Sequence, residues 1–135
     1  MTLDVTADSN IYISALVFGG RPLQFLDAAR AGVFPLAISD PLLAEIHRVL
    51  RDKFGWPPED LAEAAADLAD FTLRVQPGRT INAVPEDPDD NRVLECAVAA
   101  GSRYIVTGDG DLLRLTTFEG IRILRVADFL SLISP

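Results

Sequence analysis

Short apolar runs with the character of β-strands alternate along this chain with stretches of helical periodicity, and this alternation restricts the fold more than any other feature. Residues 33–38, 73–76, 104–107 and 121–124 read as strands, the first despite Pro35. The opening stretch belongs with them: Leu3, Val5 and Ala7 alternate with polar neighbours, as in a strand with one buried face. Helices are expected between the strands, and proline and glycine mark their ends. Residues 11–18 stop at Gly19-Gly20, and residues 22–30 start on Pro22 with Gly32 beyond them. A third helix starts at Ser39-Asp40-Pro41, where Asp40 can accept from the first free amides, carries Leu42, Leu43, Ile46, Val49 and Leu50, and closes by Gly55. A fourth follows Pro57-Pro58 and presents Leu61, Ala65, Leu68 and Phe71, a fifth covers residues 88–100 before Gly101, and a last one covers residues 126–133. Residues 81–87 read as loop. Strands separated by helices imply one three-layer α/β/α domain, residues 1–135, around a central parallel sheet.

In such a sheet the ligand crevice lies beyond the carboxyl ends of the strands. Asp8 directly follows the first strand. Asp109 follows the strand at 104–107 by one glycine, with Asp111 two residues further on. The local alternative is that each aspartate caps the helix after it. Asp90 is placed differently. Leu94, Ala97 and Gly101 lie at i+4, i+7 and i+11 from it, on one helical face within about 40°. Asp90 therefore sits on the inward apolar stripe, where an unpartnered carboxylate is costly. A capping box, with Asp87 as the cap and Asp90 receiving an amide in return, is the local alternative. On the same wheel Asp89 and Glu95 lie off the stripe, as does Cys96. Glu45 falls at the edge of the third helix's buried face, about 40° from Val49, with a surface ion pair to Arg48 as its local alternative.

If Asp8, Glu45, Asp90 and Asp109 meet in one crevice, they cannot all remain charged unaided. At roughly 6 Å and an effective dielectric near 20, each like pair costs about 3 kcal/mol. Protonation or a divalent cation relieves this, and hard oxygen donors suit Mg²⁺ or Mn²⁺ rather than zinc. Such a cation can hold a scissile phosphate and acidify a bound water. The overall charge of −8 argues weakly against a general nucleic-acid coat protein. Setting four carboxylates aside for a metal site halves it to about −4, and two divalent cations bring it to about zero. The bases are nearly all arginine, and Arg21, Arg48, Arg51, Arg79 and Arg114 are available to RNA phosphates. Competing chemistries are poorly supplied. His47 is the lone histidine, Cys96 the lone cysteine, and no glycine loop with a lysine is present to cradle phosphate. With no signal-peptide pattern and no apolar run of membrane-spanning length, a cytoplasmic protein without membrane association is expected.

Taken together, V-T-A-D-S-N with Asp8, Glu45 in the third helix, D-P-D-D-N-R-V-L-E-C-A with Asp90, I-V-T-G-D-G-D-L-L with Asp109 and the closing A-D-F-L-S-L-I resemble a PIN domain over nearly the whole chain. That resemblance implies metal-dependent endoribonuclease activity on RNA. Small stand-alone proteins of this kind are usually VapC-like toxins of prokaryotic toxin–antitoxin pairs, so a cognate antitoxin and a homodimer are implied as well. By similarity Asp8, Glu45, Asp90 and Asp109 form the acidic quartet that holds metal, with Ser9, Asn10, Thr107 and Asp111 in support. Gly110 departs from the pattern, since relatives often have lysine or another polar residue there. Two other readings stay open. One is a catalytically silent PIN-like module that binds metal, RNA or a partner. The other is a haloacid-dehalogenase-type phosphatase, which needs a second aspartate where this chain has Asn10.

Overall fold

The structure, a computed structural model, describes residues 4–134, so the part of the first expected strand that falls on Leu3 lies outside the described residues. The first strand, β1, is Val5–Ala7, and the helices α1 (Ser9–Phe18) and α2 (Gly20–Arg30) follow it. Next come β2 (Leu36–Ile38), α3 (Asp40–Asp52), α4 (Pro58–Phe71) and β3 (Leu73–Arg74). The second half contains α5 (Pro88–Ala100), β4 (Tyr104–Val106), α6 (Gly110–Leu115), β5 (Thr117–Phe118), β6 (Ile121–Leu124) and α7 (Val126–Ile133). The sheet runs β3-β2-β1-β4-β6-β5 and is parallel except for β5. This is the expected three-layer α/β/α architecture. Among the described residues no helix is long and apolar enough to cross a membrane.

Strand β1 is central, and its chemistry follows from that. All three of its residues are buried, not only alternate ones, because helices cover both faces of a parallel sheet. Thr6 therefore needs a buried partner, and its hydroxyl lies 2.8 Å from that of Ser102. It also points toward Cys96 of α5, at 3.9 Å. Val5 and Ala7 face the opposite layer. There Tyr104, in register with Val5, meets an aromatic cluster of Phe25, Phe34 and Phe129 with centroid spacings of 5.0–5.7 Å. Helices α2 and α7 pack together on that side, while α5 lies against β1, β2 and β4.

Several expected elements differ in extent. The strand at 33–38 contracts to three residues. Val33 is exposed, and Pro35 lends only its carbonyl to the Val5 amide, at 3.1 Å. The strand at 73–76 pairs for two residues at the sheet edge. Strand β5 was not anticipated. It turns back onto β6 through Glu119 and Gly120, both at positive φ (48° and 84°), as a two-residue hairpin turn requires. Asp40 does not cap its helix. Ser39 holds the cap position, and Asp40 pairs instead with Arg74 Nε at 2.8 Å.

The largest departure concerns α5. Its buried residues run from Asp90 and Asn91 through Val93 to Ala97, so Glu95 and Cys96 are inside and not off the stripe. The irregular segment 75–87 crosses the outer side of the helix and buries Ile81 and Val84 against it. Burial raises the Cys96 thiol to about 11 and leaves it a packing residue rather than a nucleophile.

Candidate metal centre

Strand order reverses between β1 and β4: β2 and β3 extend the sheet on one side, β6 and β5 on the other. A crevice at the carboxyl ends of two such strands is where an open α/β sheet binds its ligand. Asp8 leaves β1 there, its amide bonded to the Val106 carbonyl at 2.9 Å. Thr107 leaves β4 beside it. The Thr107 hydroxyl donates to Asp8 Oδ2 at 2.8 Å and accepts from the Asp109 amide at 3.0 Å. One buried hydroxyl thus sets the spacing between the two strand-end turns.

Both aspartates also cap. Asp8 Oδ1 accepts from the Asn10 amide at 3.3 Å, and Asp109 Oδ2 from the Leu112 amide at 3.1 Å. Capping and metal binding are therefore not exclusive, since a carboxylate has two oxygens and about four acceptor sites. The expected capping box at α5 is different. Asp87 occupies the cap position but makes no side-chain cap bond. Its carboxylate lies with those of Asp90, Asp109 and Asp111, one oxygen of each within 4.8 Å of the others. Asp87 lies outside the expected quartet and its supporting residues, and enters the sequence reading only as the cap in the local alternative for Asp90. The signal for its other role is the acid run Glu86-Asp87-Pro88-Asp89-Asp90, in which a proline fixes the backbone between two acids of the cluster.

Of the expected quartet, Asp90 and Asp109 share this cluster. Asp8 and Glu45 form an adjoining pair, bridged by Ser9. The Ser9 hydroxyl lies 2.6 Å from Glu45 Oε2 and 3.3 Å from Asp8 Oδ1. Asp89 is exposed at the rim, where Arg48 reaches both it (4.0 Å) and Glu45 Oε1 (3.9 Å). Of the supporting residues, Ser9 and Thr107 act through their hydroxyls and Asn10 through its backbone amide, its side chain being exposed. Asp111 joins the cluster and pairs with Arg114. His47 is exposed on α3.

The electrostatics fit a site for a positive charge. Asp90 is buried to 4% exposure, and its Oδ2 has no hydrogen-bond partner among the described residues. Burial first, then the adjacent Asp109 carboxylate, push its pKa up to about 8, with Asp87 and Asp8 adding to the rise. Asp8 is raised by burial against the hydrogen bonds it accepts, and Asp109 contributes. Glu45 is raised by burial, with Asp89 and Asp8 adding while Ser9 and Arg48 oppose. A buried orphan oxygen among close carboxylates, all hard donors, fits a divalent cation of the Mg²⁺ or Mn²⁺ type.

A PIN domain family model matches residues 4–111, a span that contains Asp8, Glu45, Asp87, Asp90, Asp109 and Asp111. No curated protein matches the chain. PIN domains are generally metal-dependent nucleases, and Asp87, Asp90, Asp109 and Asp111 form a group here that could hold a metal ion. The chain belongs to the PIN domain family.

Proposed function

We propose that this protein is a Mg²⁺- or Mn²⁺-dependent endoribonuclease that hydrolyses RNA phosphodiester bonds, and that it is the toxin of a prokaryotic type II toxin–antitoxin module. The observation that carries the nuclease reading is the crevice itself. Carboxylates from the α5 start and the β4–α6 turn converge within 4.8 Å, with the buried, unpartnered Asp90 oxygen among them and Asp8 beside them. Asp8, Glu45, Asp90 and Asp109 are assigned as the catalytic, metal-holding acids, with Asp87 and Asp111 as further ligands from the same cluster. A divalent cation bound there supplies the positive charge that offsets a scissile phosphate and makes water a better acid. Thr107 and Ser9 keep Asp8 and Glu45 aimed at the crevice by donating to one oxygen of each. Glu45 Oε1, with only the loose approach of Arg48, is the oxygen free to accept a proton from water. Of the arginines available to RNA, Arg51, Arg79 and Arg114 pair with Asp52, Glu119 and Asp111. Arg48 is exposed at the crevice mouth and is the one best placed to meet phosphate. A cytoplasmic homodimer held silent by a cognate antitoxin completes the proposal.

The test is cleavage of a varied RNA pool by the purified chain, with Mn²⁺ or Mg²⁺ against chelator. Metal-dependent internal cuts that Asp90→Asn reduces by at least about 100-fold support the reading. Binding of Mn²⁺ with every RNA left intact would instead favour the catalytically silent module. The phosphatase reading is weakened locally. A phosphatase of that type needs a second aspartate two residues after the nucleophile, and Asn10 stands there. The toxin role is tested separately, by growth arrest on expression and rescue by the product of the neighbouring reading frame.

A further inference from the structure

We infer, building on the metal-centre reading above, that Asn91 is a positioning residue: it grips the turn that delivers the Asp87 carboxylate to the acidic cluster. Residues 75–87 form no helix, and past the pairing of β3 no strand, yet Ile81 and Val84 are buried. Buried backbone polar groups in such a segment need partners, and α5 supplies them. Glu95 accepts from the Ile81 amide at 2.8 Å, and Arg92 bridges the Ile81 carbonyl (3.4 Å) and Glu95 (2.8 Å). Asn91, 2% exposed, takes both polar groups of Val84. Its Oδ1 accepts from the amide and its Nδ2 donates to the carbonyl, each at 2.8 Å. A side-chain amide is suited to this because it presents a donor and an acceptor side by side.

The Val84 carbonyl has a second donor, the Asp87 amide at 3.3 Å. Val84-Pro85-Glu86-Asp87 is therefore a four-residue turn with proline in its second position, where proline's fixed φ is favourable. Asn91 holds the first residue of that turn, and Asp87 is the last. Pro88 then bars Asp87 from the helical region, and its backbone stays extended at φ −140° and ψ 90°. Among the described residues, Asp87 is bonded to the helix start through its carbonyl, which accepts from the Asp90 amide at 3.1 Å. Its carboxylate makes no cap bond and lies among three others that repel it. Among the described residues no local bond holds the carboxylate there, so the restraint comes from the backbone, and the Asn91 grip on Val84 is a side-chain contact that supplies it.

The experiment measures Mn²⁺ binding by calorimetry on the full chain, for wild type, Asn91→Ala, Asp87→Asn and the double variant. Asn91→Ala is expected to weaken binding by roughly 10-fold or more, the scale seen for partners that orient metal ligands. Asp87→Asn should weaken it comparably, and the double variant should be no weaker than Asp87→Asn alone, because the grip acts through Asp87. Unchanged binding in Asn91→Ala, or losses that multiply in the double variant, would overturn the inference. Wild-type hydrogen exchange needs no variant and guards against a misfolded one. Linkage requires Mn²⁺ to slow exchange of the Val84 and Asp87 amides, and no slowing also overturns it. A wild type that binds no Mn²⁺ brings down the metal-centre reading and this inference together, whereas the other failures leave that reading standing.

Discussion

Asp90 carries a buried oxygen with no hydrogen-bond partner, while each oxygen of Asp8 accepts at least one bond. Replacing either by asparagine removes a metal ligand in the proposed site, so cleavage is expected to be lost in both. Stability in chelator should separate them. Asp90→Asn removes a carboxyl whose ionisation burial and three neighbouring acids oppose, and its melting temperature should match or exceed that of the wild type. Asp8→Asn sets an amide donor against the Asn10 amide or the Thr107 hydroxyl, leaves a buried donor unmatched, and should cost about 1–3 kcal/mol. Equal melting temperatures for the two variants would contradict this account. Asp90 was legible from the sequence because helical spacing alone places it among Leu94 and Ala97. Asp87 was not, because an aspartate before Pro88 at a helix start looks the same whether it caps or ligates. Only the geometry shows that the cap bond is missing.

At the scale of elements, two strand-end turns meet the start of α5, and Thr107 couples the turns to each other. Thr107→Val keeps the shape and removes the hydroxyl, leaving Asp8 Oδ2 and the Asp109 amide without their shared partner. Unfolding in denaturant should show a loss of about 1–3 kcal/mol, and metal-dependent cleavage should fall with it. Thr107→Ser, which keeps the hydroxyl, should retain most of the activity. A Val variant as active as the Ser variant would show that the hydroxyl does not set the crevice. Elements bounded by proline and glycine were readable to within a residue or two, α5 between Pro88 and Gly101 (φ 65°) most clearly. What the sequence concealed depends on partners far along the chain. Glu95 and Cys96 look solvent-facing on a wheel until segment 75–87 covers one side of α5 and the sheet covers the other. The pairing of β5 spans two residues and relies on Glu119 at positive φ, which local propensity disfavours.

For the whole molecule the question is how a chain of charge −8 tolerates several acids in one crevice. Without metal the answer is protons. Asp8, Glu45 and Asp90 all have folded pKa values above their ordinary ones, Asp90 at about 8. A carboxyl raised by folding contributes stability that is fully present below its unfolded pKa, near 4, and lost as pH rises through the folded value. The metal-free protein should therefore melt progressively lower from about pH 5 to about pH 8. A cation reverses the sign, because the ligands must be ionised to bind it, so affinity grows over the same interval. At 100 times its Kd a ligand adds about 2.7 kcal/mol, or about 8 °C at roughly 3 °C per kcal/mol for a domain of this size. Melting curves in Mn²⁺ and in chelator, taken at half-unit steps, should diverge as pH increases. In Asp90→Asn the chelator curve should flatten and the divergence shrink. A constant gap between the two curves, or a metal-free protein most stable at pH 8, would mean that the acids of the crevice are settled by their own hydrogen bonds and need no cation.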